Sequence, residues 1–342
     1  MHLGLVGAWR LMLVCRAARA GAKDYLNTLP GFILLGGFAV GRSYGTLDDV
    51  WRLNLATLCW EVMPDLLCRR SEHACCAVRD TLIVLGGVGN VHTEERVDHN
   101  ILKVEMLSEG TFTKLPPLSC RGNALRGGIT CASAVAVEES ASVAGQVLLL
   151  GGYTDDGGVS TVYLVDLATG VCTPQPNLLQ VRYQFAAARL PTGRVVCAGG
   201  ESGLFMASSS AEVLEPPEQE ALDRSWTWRD LPAMSVQRVG CRGCVLSDGR
   251  FFVVGGRDGD DDSMTSCEAL TIGEDGGWEQ LSPMHDQRSE FACAAVAKCV
   301  IVAGGGLCTT VEVFDEGLGL WLRLPCDLPR HYQVGWMGCA LL

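Results

Sequence analysis

The feature that most constrains this chain is a motif that recurs six times, a run of apolar residues followed by two glycines. The copies are Phe32 to Gly37, Leu82 to Gly87, Val147 to Gly152, Val195 to Gly200, Phe252 to Gly256 and Val300 to Gly305. Their first glycines are 48 to 65 residues apart. Periods of this size indicate a repeat architecture, and unequal spacing around an unchanged motif places the insertions in loops.

Each unit predicts four strands. An arginine leads into a run of small apolar residues, as from Arg238 to Leu246, and a polar turn then reverses the chain into the glycine motif. After the glycines come a loop and an alternating segment, as from Thr310 to Asp315, and then a strand with an aromatic residue such as Trp278. The third unit has Cys172 at that position, so we expect its sheet to be packed more weakly. Six such units predict an all-β, six-bladed propeller with four antiparallel strands per blade around a central channel.

The two ends of the repeat are complementary. Residues 331–342 have the pattern of a first strand but no glycine pair after it, whereas the unit with Gly36 and Gly37 has no such strand before it. We therefore expect the C-terminal strand to complete the first blade and close the ring, which removes an exposed strand edge. The propeller is predicted to cover residues 31–342, preceded by a short basic helix within residues 1–25.

The ordered features of each unit resemble the kelch repeat over residues 31–342, since they include the paired glycines, the tryptophan, a Leu-Pro-x-Met-like turn and the next arginine. The stretch from Leu13 to Arg19 is similar to the last helix of an F-box, and the pattern from Met284 to Phe291 resembles plant-type F-box/kelch proteins. Only the tail of an F-box is covered by this similarity.

The resemblance implies a non-catalytic module that binds a protein or peptide through the loops of one propeller face. It also implies a substrate-recognition role in a cullin ubiquitin ligase, with Skp1 as a partner if an F-box is completed upstream. A scaffold kelch protein unrelated to ubiquitin is the alternative, and a propeller enzyme such as a sugar mutarotase is a third.

Propeller enzymes have requirements that this sequence does not meet. Copper oxidases of this architecture use tyrosine and histidine ligands, but the six tyrosines and six histidines form no local ligand pattern. The iron motif of nitrile-specifier proteins has Glu-x-x-x-Asp-x-x-x-His spacing, which Glu94 and Asp98 match until Leu102 replaces the histidine. We predict no catalytic residue, no metal and no cofactor.

The charge balance also limits the partners. The chain has 27 basic and 39 acidic residues, a formal net charge of −12, which opposes phosphate binding and argues against nucleic acid. No apolar run approaches the roughly 20 residues of a membrane-spanning helix. A weak resemblance to a signal-peptide cleavage site ends at Ala20, but Arg10 interrupts its apolar stretch.

The seventeen cysteines are odd in number and scattered through apolar segments, which favours small buried thiols over disulfides. Cys241 and Cys244 form a C-x-x-C pair without the second ligand pair of a zinc site. We therefore expect a reducing compartment, either the cytoplasm or the nucleus.

The candidate binding residues fall on one predicted face. Arginines before first strands recur there by symmetry, at Arg70, Arg182, Arg238, Arg288 and Arg330. They either bond loop carbonyls and acidic groups or line a mouth for an acidic or polar peptide, with Tyr183, His331 and Tyr332 as further contacts.

Loops between second and third strands should share this face, because alternating strand directions return the chain there. They add Arg42, Tyr44, Arg257 and Asp258 as candidates. The acidic loop 257–262 lacks the glutamate and spacing of an EF-hand, so we expect a solvated loop rather than a calcium site. Contact with a basic partner is the alternative for this loop.

Overall fold

A computed structural model describes residues 4–40, 45–89, 102–120, 125, 128–137, 144–203, 206–215, 226–273, 276–329 and 333–342. Within these ranges, two helices precede the strands, α1 (Leu5–Leu11) and α2 (Arg16–Thr28). The sequence predicts a single helix here. The chain turns between them, and the Cys15 thiol accepts a hydrogen bond from the Ala18 N–H at 3.4 Å, which caps α2.

The first half of the strands covers residues 32 to 175. In chain order they are β1 (Phe32–Leu35), β2 (Phe38–Val40), β3 (Gly45–Thr46), β4 (Val50–Asn54), β5 (Cys59–Val62), β6 (Ala74–Val78), β7 (Thr81–Leu85), β8 (Val104–Ser108), β9 (Thr111–Leu115), β10 (Ser119–Cys120), β11 (Ser133–Val137), β12 (Gln146–Leu150), β13 (Tyr153–Thr154), β14 (Gly157–Gly158), β15 (Val162–Asp166) and β16 (Val171–Gln175).

The second half continues the same alternation of short strands and turns. These strands are β17 (Ala186–Arg189), β18 (Val195–Ala198), β19 (Ala211–Glu215), β20 (Thr227–Leu231), β21 (Arg242–Val245), β22 (Phe251–Val254), β23 (Cys267–Leu270), β24 (Trp278–Leu281), β25 (Ala292–Val296), β26 (Cys299–Ala303), β27 (Thr310–Asp315), β28 (Leu320–Asp327), β29 (Gln333–Gly335) and β30 (Gly338–Leu341).

Most strands of the described chain belong to antiparallel sheets of four. We call these the first sheet (β30-β1-β4-β5), the second (β6 to β9), the fourth (β17 to β20), the fifth (β21 to β24) and the sixth (β25 to β28). The second strands β7, β18, β22 and β26 are almost wholly buried. Their apolar runs are continuous because neighbouring sheets cover both faces.

The third sheet departs from the predicted four antiparallel strands. Its order is β10-β16-β15-β12-β11, and β10 runs parallel to β16 with Cys120 opposite Cys172. Cys172 is buried although it replaces the aromatic ring of other units. The added strand therefore covers the edge beside this smaller side chain.

The C-terminal segment supplies strands to the start of the chain. β30 pairs with β1, so that Cys339 lies opposite Leu34, and Leu342 and Gly31 exchange backbone hydrogen bonds of 3.1 and 2.8 Å. β29 pairs with β2 in a small sheet that also contains β3. The strands β30, β6, β11, β17, β21 and β25, which begin the six sheets, contact one another in that order, and β25 contacts β30 again.

Helix α1 packs on the first and sixth sheets. Leu5 and Ala8 are fully buried in a cluster that includes residues of β26 and β27. The Leu5 N–H donates to the Ala297 carbonyl at 3.0 Å, and Trp9 Nε1 donates to the Leu55 carbonyl at 2.7 Å. The helix therefore lies over the turns that join first to second and third to fourth strands, opposite the glycine motifs.

Candidate functional site

Four of the arginines that precede first strands are buried and paired with glutamates. Their exposure is at most 1%, and each partner glutamate lies in the third strand of the same sheet with an exposure of 0%. The pairs are Arg70–Glu105, Arg182–Glu212, Arg238–Glu268 and Arg288–Glu312. Guanidinium and carboxylate thereby satisfy each other where water is excluded.

The arginine and the glycine pair are two parts of one joint between sheets. Arg238 Nη1 donates to the Gly255 carbonyl at 2.9 Å, and the Arg238 carbonyl accepts from the Gly200 N–H of the fourth sheet at 2.7 Å. Gly199 has a φ of +71°, and a Cβ there would lie 2.7 Å from the Arg238 carbonyl oxygen. Only glycine combines this backbone conformation with so close an approach.

This burial corrects the prediction that Arg70, Arg182, Arg238 and Arg288 contact a partner. Their charged groups point into the interior, where carboxylates and carbonyls already occupy them, so the alternative role in bonding loop carbonyls and acidic groups applies. The predicted residues Arg42, Tyr44, Arg330, His331 and Tyr332 lie outside the described part of the chain.

The other three candidates lie beside the glycine motifs. Tyr183 is 5% exposed and donates its hydroxyl to Glu201 at 2.6 Å. The Asp258 carboxylate accepts from the backbone N–H groups of Asp260 and Asp262 at 3.0 and 3.1 Å, which shapes the acidic loop. Arg257 is one-quarter exposed and is described below.

A ring of six backbone groups encircles the space between the first strands. Each N–H donates to the carbonyl of the preceding member at 2.8 to 3.1 Å, and the series returns to its start. We call this set the mouth ring, and its members are Trp336, Glu72, Cys131, Gln184, Gly240 and Glu290. One member comes from each of the six sheets, directly before or near its first strand.

Every member of the mouth ring has a left-handed backbone, with φ between 50° and 65°. Five of the six are not glycine, although this conformation costs a residue with a Cβ roughly 1 kcal/mol or more. Sequence reasoning missed these residues because the six positions hold five different residue types. Their common signal is position, since Glu72, Gln184, Gly240 and Glu290 each stand two residues after a buried arginine.

The mouth ring surrounds a cavity of about 200 Å³. Small residues of the first strands line its wall, namely Cys75, Ala134, Ala187, Gly243, Cys293 and Cys339. Arg242 of β21 extends into this space, and its Nε donates to the Phe291 carbonyl of the sixth sheet at 2.7 Å. The first strands therefore leave an open, polar depression that side chains of the mouth ring surround.

Gly240, the one glycine of the mouth ring, makes room for an ion pair. Arg257 Nη2 lies 2.7 Å from Glu290 Oε1 and 3.4 Å from Gln184 Oε1, while its Nη1 lies 3.2 Å from Asp261. A Cβ at Gly240 would lie 3.0 Å from the same Glu290 oxygen. Burial raises the pKa of Glu290, and the Arg257 charge opposes that rise.

The cysteines form no disulfide, and all seventeen are free. Burial raises the pKa of Cys76 and Cys267 to about 12, so these thiols stay protonated at neutral pH. Across the described ranges, no group of three or more histidine, cysteine or acidic side chains is placed to hold a metal ion. Neither helix in the same ranges has the length and apolar character needed to cross a bilayer.

Repeated four-stranded antiparallel sheets, with glycine pairs between them and a buried arginine–glutamate pair in four of them, define an all-β repeat protein. The chain is 23% identical over 291 residues to the kelch-like protein terF of Aspergillus terreus. The match covers 79% of this chain and 60% of the relative, so the chain spans less than two thirds of that protein. This similarity supports the kelch-repeat family. No protein-family model matches the chain.

Proposed function

We propose that the chain is a six-bladed propeller that binds a protein partner at the mouth ring and the adjoining loops, without catalysis. The observation that carries this proposal is the closed series of six hydrogen bonds around the cavity, in which five side chains occupy strained left-handed positions. Glycine adopts this left-handed conformation without strain, as Gly240 does, so the other five members keep their Cβ atoms at an energetic cost. Retaining larger side chains at this cost is typical of functional surfaces.

The contact residues in this proposal are those of the mouth ring, with Arg257 and the loops beside it, in place of the buried arginines. Trp336 and Gln184 offer an aromatic surface and an amide, which are common contacts in protein interfaces. The free thiols support a reducing compartment, so we propose the cytoplasm or the nucleus as the location.

Replacing Gln184 by glycine should separate stability from binding. We expect Gln184→Gly to raise the free energy of unfolding by about 1 kcal/mol, because a left-handed residue loses its Cβ strain. Partner binding should weaken, since a contact side chain is removed. Chemical denaturation measures the first effect, and quantitative co-purification from the native cells measures the second.

Glu109→Gly is the matched control, because Glu109 is also left-handed, with a φ of 50°, and lies in the exposed β8–β9 turn. This variant should gain stability and keep every partner. Binding at the mouth ring would be contradicted if the same proteins co-purified in the same amounts with both Gln184→Gly and Trp336→Gly.

A role as a ubiquitin-ligase adaptor is the finer proposal. The F-box-like stretch exposes Leu13 and Val14 by 82% and 69%, as a surface that docks another protein would. We expect Skp1 and a cullin to co-purify with the tagged product of the native transcript, and Leu13→Asp to remove them. Stable partners without Skp1 would favour the alternative, a scaffold unrelated to ubiquitin.

A further inference from the structure

The loops around the mouth ring are strongly acidic. In the third to sixth sheets, the loops between second and third strands carry seven carboxylates and one cation, Arg257. The carboxylates are Asp155, Asp156, Glu201, Asp258, Asp260, Asp261 and Asp262. A cleft lined by charges of one sign attracts the opposite charge and accelerates its binding.

Glu72 and Glu290 are the two carboxylates of the mouth ring. Glu290 is paired with Arg257, whereas among the described residues no lysine or arginine lies within 4.0 Å of Glu72. The Glu72 carboxylate accepts one weak hydrogen bond, from the Cys131 thiol at 3.2 Å. Within the described ranges no other group donates to this carboxylate, which lines the mouth cavity, so its other acceptor positions can serve a ligand.

A second unoccupied acceptor adjoins Glu72. His73 lines the same cavity and is 8% exposed, and neither of its ring nitrogens has a hydrogen-bond partner in the part of the chain that the structure describes. Burial, with the nearby charges of Arg70 and Arg242, lowers the pKa of His73 to about 3. The ring is therefore neutral at pH 7, so one nitrogen can accept a hydrogen bond.

Gly338 packs closely against this ring at the wall of the cavity. A Cβ on Gly338 would lie 2.3 Å from His73 Nε2, and Gly338 lines the cavity. An unpaired polar group at this depth is costly unless a ligand or solvent satisfies it. Glu72 and His73 thus present two neighbouring acceptors to whatever enters the cavity.

Arg242 is the cation that a positively charged ligand would meet in the cavity. Its side chain belongs to the fifth sheet and is held to the sixth by the hydrogen bond to the Phe291 carbonyl. Glu72 belongs to the second sheet, which stands opposite the fifth in the order of first strands. The Arg242 charge nevertheless acts across the cavity, since it lowers the pKa of His73 and opposes the rise in the pKa of Glu290, while Glu72 and Glu290 supply the negative charges of the lining.

Resting on the proposed function, we infer that the mouth ring receives a cationic side chain, a lysine or arginine from a basic segment of a protein partner. Glu72 is its counter-charge, His73 is a neutral acceptor, and the acidic loops bind the flanking basic residues. The partner is thus basic. An acidic peptide would be the expected partner only if the arginines before the first strands were exposed.

The test uses random twelve-residue peptides displayed on phage and selected on the immobilised full-length chain. We expect the selected peptides to be rich in lysine and arginine. For the tightest peptide, Glu72→Gln should raise Kd about tenfold, which corresponds to about 1.4 kcal/mol for a partly buried charge contact. Fluorescence anisotropy of the labelled peptide measures Kd.

Glu109→Gln is the matched control, since it removes one carboxylate with a similar backbone conformation on the opposite face. It should leave Kd unchanged, and an equal loss in both variants would overturn the inference in favour of general attraction to an acidic protein. Acidic or apolar peptides that lose affinity in Gln184→Gly but not in Glu72→Gln would overturn the cationic ligand and leave the proposed function standing. Selected peptides insensitive to every mouth-ring variant would overturn both.

Discussion

A chain that ends at Pro329 is expected to lose cooperative folding. The deletion removes β30, which pairs along the whole length of β1, and β29, which pairs with β2. It also removes Trp336, and with it two of the six hydrogen bonds of the mouth ring. The edge of β1 and the core residues beneath it would then face solvent, which favours aggregation.

Thermal and urea unfolding, followed by circular dichroism and tryptophan fluorescence, measure this effect. We expect a broad transition without a shared midpoint, because the first sheet loses the strand that contacts the first strands of the second and sixth sheets. A synthetic peptide of residues 330–342 should restore a cooperative transition when it is added in excess. A truncated chain that melts sharply at the parental temperature would show that the C-terminal strands are dispensable.

Replacing Arg238 by methionine should destabilise the protein by about 3 to 5 kcal/mol, because Glu268 is left buried without its cation. Arg238 and Glu268 are both 0% exposed, and their ion-pair distance is 2.8 Å. The carbonyls of Gly255 and Ser266, which accept from Arg238 at 2.9 and 3.0 Å, also lose their donor. The free energy of unfolding in urea measures the loss.

Two further variants identify the cause. Arg229→Met removes an exposed ion pair with Glu215, so it should cost less than about 1 kcal/mol. The double replacement of Arg238 by methionine and Glu268 by leucine should recover part of the stability, because no unpaired charge then remains. If the single Arg238 variant behaved like the Arg229 variant, the buried pair would contribute little to the stability of the fifth sheet.

The sequence could predict only those residues of the site that recur from unit to unit. The arginines repeat, so they were visible, but a pattern of arginines does not tell whether they are buried. Their glutamate partners stand 24 to 35 positions later, in strands whose residues alternate between apolar and polar. In such a pattern a buried glutamate cannot be distinguished from a solvent-exposed one. The mouth-ring residues Glu72, Cys131, Gln184 and Trp336 share a backbone conformation and no side-chain type, so composition and motif could not reveal them.

The parallel β10 and the break between α1 and α2 were also beyond sequence reasoning. Both depend on what packs beside a short segment. Ser119 and Cys120 are a strand because the edge of β16 is free to pair with them. Such pairing is a tertiary effect that local propensity does not report.

The sequence by itself determined the all-β class, the position of the glycine motifs and the strands that follow them, because hydrophobic period and glycine placement act over a few residues. Tertiary structure alone decided which polar groups are buried as scaffold and which face the cavity. The reason is physical: burial, ion pairing and the left-handed ring arise only when strands distant in sequence are brought together, and they determine which charges remain for a partner.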